Sequence, residues 1–176
     1  MSKVVLELGG NAPCIVEDLV PDLEGTIARL VHGGFYQSSQ SCIHMQHVRG
    51  GVYKEVKDTL ITAVKKLKGG DPRQDDTSIG PMISESSAAT VEKSVNKAVR
   101  AAAKLLVGGK QRGAFMEPMI LEDAPFDMDA RKEEIFGPVI LFYSYNGDFK
   151  EAVKEANNTH YGLQAGVFMH TRTTQQ

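Results

Sequence analysis

The stretch "QSSQSCIHMQH", residues 37–47, sets one thiol, Cys42, among serine and glutamine side chains and follows it with His44 and His47. A thiolate there attacks an electrophilic carbon, but a thiol of ordinary pKa, about 8.5, is mostly protonated at neutral pH and needs a base or a positive local field. Glu7, in "VVLELGG" and 35 positions upstream, is one carboxylate able to serve as that base or to activate water. The two glycines after it let a second backbone or a flat ligand approach closely. The same local patterns also describe a buried structural thiol and a solvated strand-end acid. His44 and His47 fall short of a metal site, since no further ligand or CxxC pair accompanies them, and read as core or surface histidines. In "RKEEIFGPVI", residues 131–140, paired acids precede Phe136. Such acids can chelate a ribose diol and such an aromatic can face a flat ring, although a charged loop with one anchoring phenylalanine has the same composition. "LLVGGKQRG" lacks the GxxxxGK[ST] spacing of a phosphate loop and reads as a turn.

These residues need a scaffold, and the hydrophobic pattern describes an α/β domain with a mainly parallel sheet and helices on both faces. "KVVLEL" and "PCIVED" read as the first two strands. Asp22 caps a helix with Leu23, Ile27, Leu30 and Val31 on one face, running out near Gly33 and Gly34. A second helix carries Tyr53, Val56, Leu60, Ala63, Val64 and Leu67 inward and stops at "KGGDP". A third carries Ala88, Val91, Val95, Ala98, Ala102 and Leu106. "FMEPMIL" and "GPVILFYSY" follow as strands, then a helix opened by Asp148 and Glu151 with Phe149, Ala152, Val153 and Ala156 inward, then "LQAGVFM" as a closing strand.

The 176 residues suit one domain. A hydrophobic fraction of 41% and a net charge of -2 place the chain among ordinary globular proteins, with no overall basic attraction for nucleic acid or an anionic membrane. No apolar run approaches the roughly 20 residues that span a bilayer, and "MSKVVLELGG" does not read as a signal peptide. The expectation is a cytoplasmic protein with two free thiols, Cys14 being a packing residue in its strand.

Taken together and in order, "LELGGNAPCIVEDLVPDLE", "GGFYQSSQSCIHMQHV", "KGGDP" with "IGPMI", "EEIFGPV" and "ANNTHYGLQAGVF" resemble the aldehyde dehydrogenase superfamily over nearly the whole chain. The resemblance implies the catalytic domain of an NAD(P)-dependent enzyme that oxidises an aldehyde to a carboxylic acid, with a homo-oligomeric parent. By that match Cys42 is the nucleophile and Glu7 the general base. Glu134 holds the nicotinamide ribose, Phe136 packs near the nicotinamide, and Leu8 offers a backbone carbonyl to the carboxamide. No metal is implied. The resemblance further implies a truncated domain over residues 1–176, without the nucleotide-binding domain and the C-terminal oligomerisation segment, and so inactive in oxidation by itself. The chain departs from the family at Ser39, where a glycine is usual, at His47, where an arginine is common, and in the polar, glycine-rich "VRGGVYKE". Two other functional classes use the same residues: a non-catalytic interaction module, and a cofactor-independent thiol esterase built on Cys42 and Glu7.

Overall fold

The computed structural model describes residues 3–17, 20–50, 53–125, 128–145 and 148–170. Its centre is a six-stranded sheet built from β1 (Ala12–Val16), β2 (Met45–Gly50), β3 (Lys104–Val107), β6 (Met119–Glu122), β7 (Val139–Ser144) and β8 (Gly166–Phe168). The strand order is β3-β6-β7-β2-β1-β8. Every pairing is parallel except β3 with β6, which is antiparallel at one edge. β4 (Gln111–Arg112) and β5 (Phe115–Met116) form a separate small hairpin.

Alternation along β7 divides the core into two layers. Ile140 and Phe142 pack with Val48, Cys14 and Val16 against α1 (Leu23–Phe35) and α2 (Tyr53–Lys65), which supply Ile27, Leu30, Val56, Leu60 and Val64. Val139, Leu141 and Tyr143 face the other way, onto Ala88, Val91, Val95 and Ala98 of α3 (Glu85–Arg100). Each fully buried branched or aromatic side chain of this kind contributes about 1.5–3 kcal/mol relative to exposure. Two short helices complete the chain, α4 (Asp129–Lys132) and α5 (Phe149–Ala156).

The local signals act as expected at Asp22 and Asp148, and Ser84 caps a further helix start. Asp22 accepts the Gly25 N–H, Ser84 accepts that of Ser87, and Asp148 accepts that of Lys150. α1 continues through its two glycines to Phe35, and Gly34 lets it pack closely on β7: a Cβ there would lie 2.4 Å from Ile140 Cδ1. The inward faces of α2 and α5 match the sequence pattern where their side chains are described; that of Tyr53 lies outside the described residues.

Several elements differ from expectation. The single strand expected at "FMEPMIL" is divided between β5 of the hairpin and β6 of the sheet. The expected turn "LLVGGKQRG" contains the end of β3 and all of β4, and the central strand β2 has no counterpart in the hydrophobic pattern read from the sequence. The third helix ends at Arg100, Ala102 adopts a φ of 81°, and Leu106 belongs to β3, so the 3.6-residue stripe outlives the helix by one false turn. "KVVLEL" forms no strand. Val4, Val5, Leu6 and Leu8 are 68–85% exposed, because no neighbouring strand among the described residues pairs with them. No described helix is long and apolar enough to cross a membrane.

Candidate active site

The C-terminal edge of the exposed segment and the loop before β2 meet through backbone. Gly9 takes a φ of 71°, turning the chain, and Gly10 then lies so close to Cys42 that a Cβ on it would stand 1.8 Å from the Cys42 carbonyl oxygen. Only glycine permits this approach. The Gly10 N–H donates to Glu134 Oε1 at 3.0 Å, and a Cβ on Gly9 would touch Glu134 Oε2 and Tyr161 at 3.0 Å each. Burial raises the Glu134 carboxyl above the usual carboxylate range; the Gly10 N–H pulls it back, and the charge of Glu7 pushes it up again. Glu7, the Cys42 loop and Glu134, spread over 127 positions of sequence, therefore converge on one glycine turn.

Cys42 is half-buried, whereas Glu7 and Leu8 are exposed. Phe136 is 40% exposed and holds a φ of 52°, a left-handed conformation that costs a non-glycine residue about 1–2 kcal/mol. Left-handed backbone also precedes the thiol: Gln37, Ser38 and Ser39 have φ of 51°, 56° and 59°. Ser39 thus occupies the positive-φ turn that favours glycine, and its hydroxyl, fully buried, donates to Gly34 O at 2.6 Å. Ser38 Oγ donates to Gly80 O and accepts the Gly80 N–H, both at 3.0 Å, while Gln40 Oε1 accepts the Ile83 N–H at 2.8 Å. The "IGPMI" segment is a clamp for the cysteine loop.

His44 and His47 are core histidines. Burial pushes them down to about 4 and about 3, helped at His47 by the charges of Arg49 and Arg131. Among the described residues no three His, Cys, Asp or Glu side chains gather as a metal site would need. His47 stacks on Tyr143, whose ring also carries the guanidinium groups of Arg49 and Arg131 at 5.0 and 4.3 Å. Both arginines bond Glu155 of α5. Cys14 is buried between β2 and β8 and its thiol is pushed up to about 12 by that burial, so the packing reading holds. A crevice of about 380 Å³ between Val64, Leu67, Val107 and Phe115 has none of Glu7, Cys42, Glu134 or Phe136 in its lining.

Sequence reasoning named the acids and the thiol but missed the side chains that hold Glu134. Asn11 Nδ2 donates to Glu133 O at 3.0 Å, and Gln46, fully buried on β2, bonds Glu133 O and the Ile135 N–H, each at 2.9 Å. The only sequence signal was a glutamine inside an otherwise buried strand, which requires hydrogen-bond partners.

The sequence model of the aldehyde dehydrogenase family matches residues 1–175. The chain is 60% identical to aldehyde dehydrogenase 21 from Physcomitrella patens, solved in complex with the reaction product succinate, with a TM-score of 0.92 over 97% of this chain and 36% of that one. It is 34% identical to the glyceraldehyde-3-phosphate dehydrogenase GapN from Methanocaldococcus jannaschii, solved with NADP, with a TM-score of 0.89 over 94% of this chain and 36% of that one. Against the lactaldehyde dehydrogenase of Methanococcus aeolicus it is 40% identical over 171 residues, covering 94% of this chain and 36% of the relative. The chain thus spans about a third of the length of these relatives. With the match running from the glycine turn through Cys42 to the Glu134 loop and on past β8, the chain belongs to the aldehyde dehydrogenase family.

Proposed function

We propose that residues 1–176 form the thiol-bearing catalytic part of a longer NAD(P)-dependent aldehyde dehydrogenase that releases a free carboxylic acid. The observation that carries this reading is the convergence of Glu7, Cys42 and Glu134 on the Gly9–Gly10 turn. The Cys42 sulfur attacks the aldehyde carbon and gives a thiohemiacetal; loss of hydride from that carbon leaves a thioester on Cys42. Glu7, exposed at the mouth of the turn, removes a proton from water, and the resulting nucleophile displaces the thiol and yields the acid.

The residues present suit a nicotinamide nucleotide: Glu134 offers a partly buried, anchored carboxylate for ribose hydroxyls, Phe136 an accessible ring face, and Leu8 a backbone carbonyl at an open position. When bound, the nicotinamide supplies the hydride acceptor. NAD and NADP are both compatible with these contacts. Similarity to the moss enzyme in complex with succinate favours an aldehyde whose far end carries a carboxylate.

The test is acyl trapping in the complete enzyme. With succinate semialdehyde and either nucleotide, Glu7→Gln should accumulate a succinyl thioester on Cys42 and slow acid release by about 100-fold to 10000-fold. An unchanged steady-state rate, or an adduct on another residue, overturns the assignment. Residues 1–176 alone should show no oxidation, because one edge of a nucleotide site does not offset the entropy lost on association.

A further inference from the structure

Glu134 is held from both of its peptide bonds by a single buried side chain. Gln46 Nε2 donates to the carbonyl of Glu133, and Gln46 Oε1 accepts the N–H of Ile135, both at 2.9 Å. These groups flank Glu134 on its two sides, so its Cα cannot shift or rotate without breaking one of them. Asn11 Nδ2 adds a second donor to Glu133 O at 3.0 Å and a longer one to Arg131 O at 3.4 Å. Asn11 directly follows Gly10, whose N–H holds the Glu134 carboxylate itself.

Gln46 also lies four residues after Cys42, at the start of β2, a strand paired on both sides, with β1 and β7. Its side chain is fully buried. The nucleophile and the Glu134 loop are thereby referred to one rigid strand, immediately ahead of the left-handed residue Phe136. We propose that Gln46 is a positioning residue: its carboxamide sets Glu134 in fixed register with Cys42, and through it the ribose end of the nucleotide. The last clause rests on the proposed function; the clamp itself does not.

The experiment uses Gln46→Met, which keeps length and volume but has no amide, in the 176-residue chain, read by amide hydrogen exchange. Loss of the clamp should speed exchange at Gly10 and Ile135 by about 10-fold or more, since each bond made by a buried amide contributes on the order of 1 kcal/mol. Val48 and Leu141, on the same and the neighbouring strand, should retain wild-type protection. Unchanged exchange at Gly10 and Ile135 overturns the proposal. So does a uniform rise through β2 and β7, which marks a purely structural glutamine. If Gln46→Met does not fold, Gln46→Glu, which keeps the acceptor for Ile135 and loses the donor to Glu133, should show faster exchange at Gly10 with Ile135 still protected; wild-type protection at Gly10 overturns the clamp. In the complete enzyme, Gln46→Met should raise the nucleotide KM about 10-fold with the aldehyde KM unchanged. Local loss in Gln46→Met beside an unchanged nucleotide KM in Glu134→Gln upholds the clamp and removes only the ribose reading.

Discussion

Gly10→Ala adds one methyl group where the proposed site has no room for it. The new Cβ would stand 1.8 Å from Cys42 O, 2.9 Å from Cys42 C and 3.5 Å from Cys42 Cα, all main-chain atoms with no rotamer by which to retreat. The two loops must part by about 1 Å or more, a displacement that costs on the order of 100-fold in rate when it separates reacting groups. The same movement stretches the 3.0 Å bond from Gly10 N–H to Glu134 Oε1, a charge-assisted contact whose loss costs about 1.5–3 kcal/mol. Residues 3–8 are exposed, so the clash should be relieved on that side of the turn rather than in the sheet. Global stability should fall by only about 1–3 kcal/mol, the usual cost of overpacking. The local effect should be larger: loss of Gly10 amide protection in the chain, and a kcat lowered about 100-fold in the complete enzyme. Gly162→Ala is the control, since nothing lies within 4 Å of its Cβ position, and should stay within about 0.5 kcal/mol of wild type. Urea unfolding and amide exchange on both variants decide the matter. A Gly10→Ala chain with wild-type stability and a protected residue-10 amide would refute the contact between the glycine turn and the cysteine loop.

Three further outcomes follow from the same structure. Iodoacetamide should label half-buried Cys42 faster than Cys14, which is 2% exposed with its thiol pushed up to about 12; equal labelling by mass mapping counts against the assignment. Ser39→Ala should cost about 1–3 kcal/mol by removing the buried bond to Gly34 O, while Ser39→Gly loses that bond but also the left-handed strain and should be about 1 kcal/mol more stable than the alanine variant. Alanine matching glycine in a urea melt would show that the turn is unstrained. His44 and His47, lowered from 6.5 to about 4 and about 3, bind fewer protons folded than unfolded, so their contribution is complete above pH 6.5 and is lost as pH falls from there toward 4 and 3. Each accounts for up to about 1.4 kcal/mol per pH unit across that window. His47→Leu should flatten the pH dependence of the urea midpoint below 6.5, and an identical slope would place His47 in solvent.

What the sequence disclosed was local. Asp22 and Asp148 cap helices through atoms two or three residues away, and the buried stripes of α1 and α2 repeat within single helices, so both survive as patterns in a string of letters. Periodicity does not report where a helix stops, which is why Ala102 and Leu106 continued the stripe of α3 on paper while the chain had already turned. Nor does an apolar run say whether its partner strand is present, and Val4, Val5 and Leu6 lie open.

The site divides in the same way. Cys42 and Glu134 carry recognisable chemistry, but what joins them is the backbone of Gly10 and the amides of Asn11 and Gln46, acting on the Glu134 carboxylate and the Glu133 carbonyl 87 to 124 positions away. His47 shows how far such constraints bend. Histidine stands five positions after the thiol, and a guanidinium follows two residues further on, at Arg49. Two residues is one strand repeat, so Arg49 projects on the same face of β2 as His47, lies over the same Tyr143 ring and reaches Glu155 beside Arg131. On that face of β2 the two guanidinium groups share one aromatic ring and one carboxylate, which ties the strand to α5 and to Arg131 of α4.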